Sequence, residues 1–305
     1  MKLTPPEQPT KKLDQQFSFI ITLLKGVGQI MLQESVFTGL LFLAGIFYGS
    51  LSMGFAALLA VFIGTITAKI LGFNKTETAQ GIYGFSPALV GVALLFYFES
   101  NLIVWLSVIV GSVLAAIVQH GFSVKKIPVF TFPFIVVTWG LIYVLRNSFG
   151  VPAAEFLNST AVLTPDFAFA LRGFGQVIFQ GSTFAGAAFF IGVFVCSPIR
   201  ALYGLAAALI AGILAGLYNA PADGIMQGLF SYNAVLCAIV FAGNKAIDGV
   251  WTFIAVALSL VVSFVMNAYN FTPLTFPFVV GTWIVLVLQK STKGFFLDGK
   301  PAINE

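Results

Sequence analysis

The side chains in this sequence best suited to handle a solute are two amides and two hydroxyls, each present as a matched pair. Gln29 follows Gly28 and precedes Gly39 by ten residues, and Gln176 follows Gly175 and precedes Gly186 by ten. Thr131 opens a Thr-Phe-Pro-Phe element with Thr138-Trp139 behind it, and Thr275 opens the same element with Thr282-Trp283 behind it. An amide brings one acceptor oxygen and two N–H donors, and a hydroxyl brings both functions in one atom. Such groups bind by hydrogen bonding and need an acid or base beside them to do more. The sequence has no nucleophile with His and acid partners, and no Gly-rich loop with Lys to cradle phosphate. The expectation is a protein that binds or conducts, not an enzyme, with no catalytic residue, metal or cofactor.

These pairs belong to one duplication. Gln80-Gly81-Ile82-Tyr83-Gly84-Phe85-Ser86-Pro87-Ala88-Leu89 aligns with Gln227-Gly228-Leu229-Phe230-Ser231-Tyr232-Asn233-Ala234-Val235-Leu236, at the same offset of 147 that separates Gln29 from Gln176. The Thr-Phe-Pro-Phe elements lie 144 apart, a net loss of three residues expected in a connection. With 59% hydrophobic and 9% charged residues and a mean hydropathy of +0.99, too few ionised groups exist to solvate a globular surface. The chain is therefore expected to lie in a lipid bilayer. Its apolar runs are continuous and of helix length, unlike the alternating segments of a β-barrel, so an all-α membrane protein is expected. The net charge of +4 is spread among loops and does not indicate a nucleic-acid partner.

Apolar runs fall at Val36 to Gly49, Leu51 to Leu71, Ile82 to Phe98, Leu102 to Gln119 and Pro128 to Leu145, then again at Thr183 to Cys196, Ala201 to Leu217, Leu229 to Ala242, Val250 to Met266 and Thr272 to Leu288. Five spans per half is an odd number, so the second copy must enter from the opposite side, which makes the repeat inverted. Phe17 to Leu32, interrupted by Lys25 and Gly26, and Phe167 to Phe179, interrupted by Arg172, Gly173 and Gly175, are too broken to span alone. These pieces, or the polar starts at Gln80 and Gln227, are candidates for half-membrane helices. The organisation expected is an N-terminal tail at 1–16, a first repeat at 17–146, a linker at 147–166, a second repeat at 167–290 and a C-terminal tail at 291–305. The first sixteen residues lack the pattern of a secretory signal, so the mature chain is expected to start there. Lys2, Lys11 and Lys12 before the first span and Lys290 and Lys293 after the last place both termini in the cytoplasm.

Within a bilayer an amide is costly unless it meets a partner or a water-lined path, so Gln29 and Gln176 read either as interhelical glue or as pore lining. Pro133 and Pro277 remove a backbone donor and disturb the bond to the carbonyl four residues before, which would leave freed carbonyls beside a Thr hydroxyl as a column of acceptors. The other reading is a packed, kinked helix whose Thr bonds back to its own turn. Thr138 and Thr282 would extend the column. Phe85 and Leu89, and Tyr232 and Leu236, share helical faces at a spacing of four, as core pairs or as an aromatic slot that admits a thin planar solute. Cys196 and Cys237 sit in apolar runs and read as buried small hydrophobes. His120, the sole histidine, ends an apolar run near Lys125-Lys126, as at a membrane interface.

In these elements the chain resembles the urea transporter family. The resemblance rests on the doubled Gly-Gln approach to Gly39 and Gly186, on Tyr83-Gly84-Phe85 with Leu89, on Ser231-Tyr232-Asn233 with Leu236, and on the two Thr-Phe-Pro-Phe elements, six in the right order over nearly the whole chain. It implies an inverted repeat of two five-span halves, with ten transmembrane helices plus two half-membrane helices. It also implies a pore in each protomer of a homotrimer, and passive, channel-type permeation of urea across a bacterial cytoplasmic (inner) membrane. Carried over, the oxygen-ladder positions are Gln29, Thr131, Gln176 and Thr275, and the slot positions Phe85, Leu89, Tyr232 and Leu236. Leu32, Phe179, Ile30 and Val177 are further slot candidates. Ser86-Pro87 departs from the Asn common in the family, which Asn233 keeps.

Urea is planar and neutral, with four N–H groups and one carbonyl, so neutral acceptor oxygens along a narrow slot can replace its water and still release it. The competing readings are a channel for ammonia, short amides or water, and an ion-coupled secondary transporter. Coupling usually needs ionisable groups or ion-coordinating breaks within the bundle, whereas Glu34, Lys69, Asp223, Lys245 and Asp248 fall near span ends.

Overall fold

The computed structural model describes residues 9–154 and 167–298 of the 305. Fourteen helices occur among them: α1 (Pro9–Gly28), α2 (Val36–Gly49), α3 (Leu51–Ile70), α4 (Lys75–Ala79), α5 (Phe85–Tyr97), α6 (Leu102–Val124), α7 (Phe132–Asn147), α8 (Phe169–Gln176), α9 (Thr183–Cys196), α10 (Pro198–Leu217), α11 (Ala222–Met226), α12 (Tyr232–Phe241), α13 (Ala246–Ala268) and α14 (Phe276–Asp298). The starts of α2 to α5 recur in α9 to α12 at an offset of 147, and those of α6 and α7 recur in α13 and α14 at 144. The three-residue loss does not lie in a connection. It lies in α12, which has 10 residues against the 13 of α5, while four residues follow each before the next helix begins.

Five of the helices, α2, α3, α4, α6 and α9, start where a short polar side chain occupies the unpaired N–H groups of the first turn. Ser35 Oγ accepts from Thr38 N–H at 3.2 Å and Ser182 Oγ from Ala185 N–H at 3.1 Å, matched caps for α2 and α9. Asn101 caps α6, and Asn74 caps α4 through two N–H groups. Lys25 and Gly26 do not interrupt α1, contrary to the sequence-based expectation. The Lys25 ammonium is satisfied by Glu34 at 2.7 Å, and a Cβ at Gly26 would lie 2.9 Å from the Val61 side chain and 3.4 Å from Gly84, so the small residue serves a close approach.

Four helices are long and apolar enough to cross a membrane, α3, α6, α10 and α13, and α1 with α2 makes a fifth candidate bent by 74°. Five more apolar helices are shorter, and the chain is a multi-pass membrane protein with a helical fold. The run expected at Ile82 to Phe98 is a helix only from Phe85 on, because Gly81 sits at φ +81°. Gly228, at φ +79°, does the same before α12. Glycine tolerates that conformation without steric cost.

The described residues form two compact units, one of 9–128 with 136–154 and one of 129–135 with 167–298, so the first turn of α7 belongs to the second. In the first unit α3 packs against α1, α5 and α6. In the second α10 packs against α8, α9 and α12, and α14 lies on α12 and α13. Gly39 explains its place in the motif: a Cβ there would stand 2.0 Å from the Leu24 carbonyl oxygen, as one at Gly186 would from that of Leu171. Residues 149–154 return to the end of α5 through a bridge between Phe98 and Ala153, and 155–166 of the expected linker lie outside the described residues.

Candidate functional site

Each glutamine sits where a helix stops. Gln29 opens a single tight turn after α1, and Gln176 is the last residue of α8. Three residues on, Leu32 at φ 57° and Phe179 at φ 58° occupy the left-handed region, a place usually taken by glycine. The turns close alike, with Gln33 N–H on Gly28 O at 3.1 Å and Gln180 N–H on Gly175 O at 2.9 Å. Two bulky residues therefore hold a costly conformation at matched points, which marks a constrained local geometry.

The amides themselves are oriented by their partners. Gln29 Nε2 donates to Gln80 O at 3.1 Å and Gln176 Nε2 to Gln227 O at 3.0 Å. A carbonyl only accepts, so each side chain must turn its NH2 toward it, and Oε1 is left as the outward acceptor. Neither Oε1 accepts from a described residue. Both glutamines are partly exposed, as are Leu32 and Phe179, whereas Ile30 and Val177 are buried. A second pair, Gln33 and Gln180, is buried and donates back to Met31 O and Ile178 O. Sequence reasoning passed over them, although Gln-x-x-x-Gln in both halves is the signal that could have found them.

The two threonines meet. Thr131 Oγ1 and Thr275 Oγ1 are 2.7 Å apart and buried, both within the second unit. Neither bonds back to its own turn. The prolines do not kink the middle of a helix: Pro133 and Pro277 are second residues of α7 and α14, where a missing N–H has little cost. Their carbonyls four residues back are not free either, since Val129 O accepts from Phe132 N–H at 3.0 Å and Pro273 O from Phe276 N–H at 3.1 Å. The expected column of acceptors thus reduces to the hydroxyl pair. Thr282 Oγ1 faces Cys237 Sγ at 3.9 Å in the core, and Thr138 is buried with no hydroxyl partner among the described residues.

Phe85 and Leu89 are buried in the first turns of α5, as Leu236 is in α12, while Tyr232 is partly exposed. The Tyr232 hydroxyl donates to Leu274 O at 2.6 Å. Asn233 Oδ1 accepts from Phe278 N–H at 3.1 Å, filling the donor that the break at Leu274 leaves unpaired at the start of α14. Ser86, at the matching position, is buried and its hydroxyl has no partner among the described residues. Phe179 meets Phe134 edge-on at 6.3 Å between ring centroids, joining the second glutamine turn to the Thr-Phe-Pro-Phe element.

Residues 20–290 match the family described as "Urea transporter". The chain belongs to that family. Similar proteins include the Urea transporter 1 of Ovis aries, 24% identical with 94% of this chain and 81% of the relative covered. That of Capra hircus is 25% identical over the same shares, and that of Rattus norvegicus 24% identical over 91% of this chain and 79% of the relative. As a member of the urea transporter family the protein is a transport protein and not an enzyme.

For a urea transporter the placement of ionisable groups matters. Glu34 is 41% exposed in its pair with Lys25, and Asp223 is exposed in the first turn of α11. Lys69 lies over the Phe19 ring at 4.2 Å, and Asp248 accepts from the Lys245 N–H. Arg172 is the exception, 7% exposed in α8, with Nη1 on Met226 O at 2.8 Å and Nε on Thr183 Oγ1 at 3.0 Å. The sequence reading took it for an interruption. Cys237 is buried as expected, but Cys196 is exposed at the end of α9.

Proposed function

We propose that this chain is a passive, channel-type transporter of urea, in which each half of the sequence supplies one glutamine and one threonine to an uncharged oxygen ladder. The observation that carries the reading is the doubled amide geometry. Both glutamines are tied to a backbone carbonyl 51 residues on, and in both Oε1 accepts from no described residue. Urea brings four N–H donors that need such acceptors once its water is removed. Neutral oxygens hold it loosely enough to let it go. Phe85, Leu89, Tyr232 and Leu236, with Leu32, Phe179, Ile30 and Val177 as further candidates, would flank the ladder with apolar faces that select a thin planar solute.

The same reading includes the architecture. Five apolar helices in each half, α2, α3, α5, α6 and α7 and then α9, α10, α12, α13 and α14, would be ten spans, and the odd number per half calls for opposite insertion of the two copies. The short helices would cross as parts of broken segments. The pieces ending in Gln29 and Gln176 are candidates for half-membrane helices. Lysines before α2 and after the last apolar run favour cytoplasmic termini in a bacterial inner membrane, and the family resemblance points to a homotrimer. The test is urea flux into proteoliposomes with no ion gradient, with formamide and thiourea in parallel. Flux that appears only with a proton or Na⁺ gradient would replace this reading by a coupled transporter.

A further inference from the structure

The two halves differ in the side chains that bond beside their glutamine-holding carbonyl. In the second half Arg172, one helical turn before Gln176, donates to Met226 O while Gln176 donates to the next carbonyl, Gln227 O. The arginine thereby clamps the end of α11. In the first half the matching basic residue, Lys25, turns to Glu34, and Val36 stands where Thr183 would hold an arginine. No described side chain of α1 clamps the end of α4 in that manner.

A different set of groups brackets Gln80 along the first half of the chain. The Tyr83 hydroxyl donates to Glu77 Oε2, so a side-chain bond closes the segment 77–83 across its middle residue, Gln80. His120 Nδ1 on α6 lies 3.2 Å from the same hydroxyl oxygen, and its ring stacks on Phe73 at 3.8 Å and 3°. With its proton directed at Glu77, the Tyr83 oxygen has lone pairs left to accept from the imidazole in the tautomer that carries its proton on Nδ1. Glu77 on α4, Tyr83 in the turn and His120 on α6 thus form one hydrogen-bonded chain.

The duplication serves as a control. At the matching positions the second half has Gly224, Phe230 and Phe264, and the rings of Phe230 and Phe264 simply pack at 5.5 Å. The fold does not need polar groups at this place. They occur only in the half that lacks an arginine clamp.

We propose that Tyr83, held between Glu77 and His120, is a positioning residue that sets the Gln80 carbonyl and through it the Gln29 amide, the task Arg172 performs for Gln176. This inference rests on Gln29 lining the path of urea. A double-mutant cycle on the full-length protein tests it, reading urea flux per folded protein in proteoliposomes. Tyr83→Phe is expected to lower flux about fivefold, the scale of one net hydrogen bond. The same change should add nothing in a Gln29→Leu background and retain its whole effect in a Gln176→Leu background. A merely structural role would move flux equally in both. Tyr83→Phe/His120→Phe, which copies the ring pair of the second half, keeps the test available if the single variant folds poorly, and is expected to lose flux to the same extent. Wild-type flux in these variants, or additivity with Gln29→Leu, overturns the inference alone. Unchanged flux in Gln29→Leu itself overturns the ladder reading and this inference with it.

Discussion

Thr131 and Thr275, 144 residues apart, place their hydroxyl oxygens 2.7 Å from each other in a buried site. One hydroxyl must donate and the other accept, so the pair retains a single uncommitted proton and several lone pairs. Replacing either by Val leaves the other hydroxyl buried without its partner, which costs about 1–3 kcal/mol. Thr131→Val and Thr275→Val are each expected to lower the melting temperature in detergent and to reduce urea flux. The double Val variant should recover stability, because two apolar groups match, yet not flux. Recovery of both would make the pair structural and remove it from the ladder.

Leu32 and Phe179 stand at φ 57° and 58°, where a branch at Cβ clashes with the backbone. Leu32→Ile is expected to destabilise the protein more than Leu32→Gly, even though Gly loses the side chain. Thermal melts of the two variants decide this, and the reverse order would show that packing outweighs the backbone conformation.

Gly39 and Gly186 lie against backbone, not against a flexible side chain. A Cβ at 2.0 Å from a carbonyl oxygen forces the crossing helices apart. Gly39→Ala and Gly186→Ala should therefore each cost several kcal/mol, on the order of a severe overpacking, seen as loss of folded protein after detergent extraction. Wild-type yield and melting in either would count against the close crossing.

Tyr232 joins an aromatic face to a hydroxyl that supports the start of α14 through Leu274 O. Phe85 at the matching position does without the hydroxyl. Tyr232→Phe is expected to keep discrimination between urea and bulkier alkylureas with a modest loss of stability, whereas Tyr232→Ala and Phe85→Ala should relax it. Competition flux assays separate face from hydroxyl, and full discrimination in both Ala variants would remove these rings from the slot.

Much of the helical framework was legible because duplication repeats helix starts at two offsets, 147 from Val36 with Thr183 and 144 through Phe132 with Phe276. The three-residue loss was misplaced, since apolar patterning does not show whether a helix or a turn has been shortened. The glutamines were legible as a pair, but not their orientation, which depends on carbonyls 51 residues away. The reading of Pro133 and Pro277 as mid-helix kinks failed because a proline in an apolar run looks the same at a first turn as in the middle. Tyr83, Glu77 and His120 gave no sign of association, because the fold alone brings together residues 37 apart on separate elements. Arg172 seemed a break in a hydrophobic piece until its target, the end of α11, was in place.

On this reading urea crosses by way of the Oε1 atoms of Gln29 and Gln176, which accept from no described residue. The most direct measurement is urea flux without an ion gradient through purified wild-type protein and through Gln29→Leu/Gln176→Leu, with equal folded amounts in liposomes. The expected result is rapid flux in the wild type and flux near that of protein-free liposomes in the double variant. Wild-type conduction by the double variant would contradict the account.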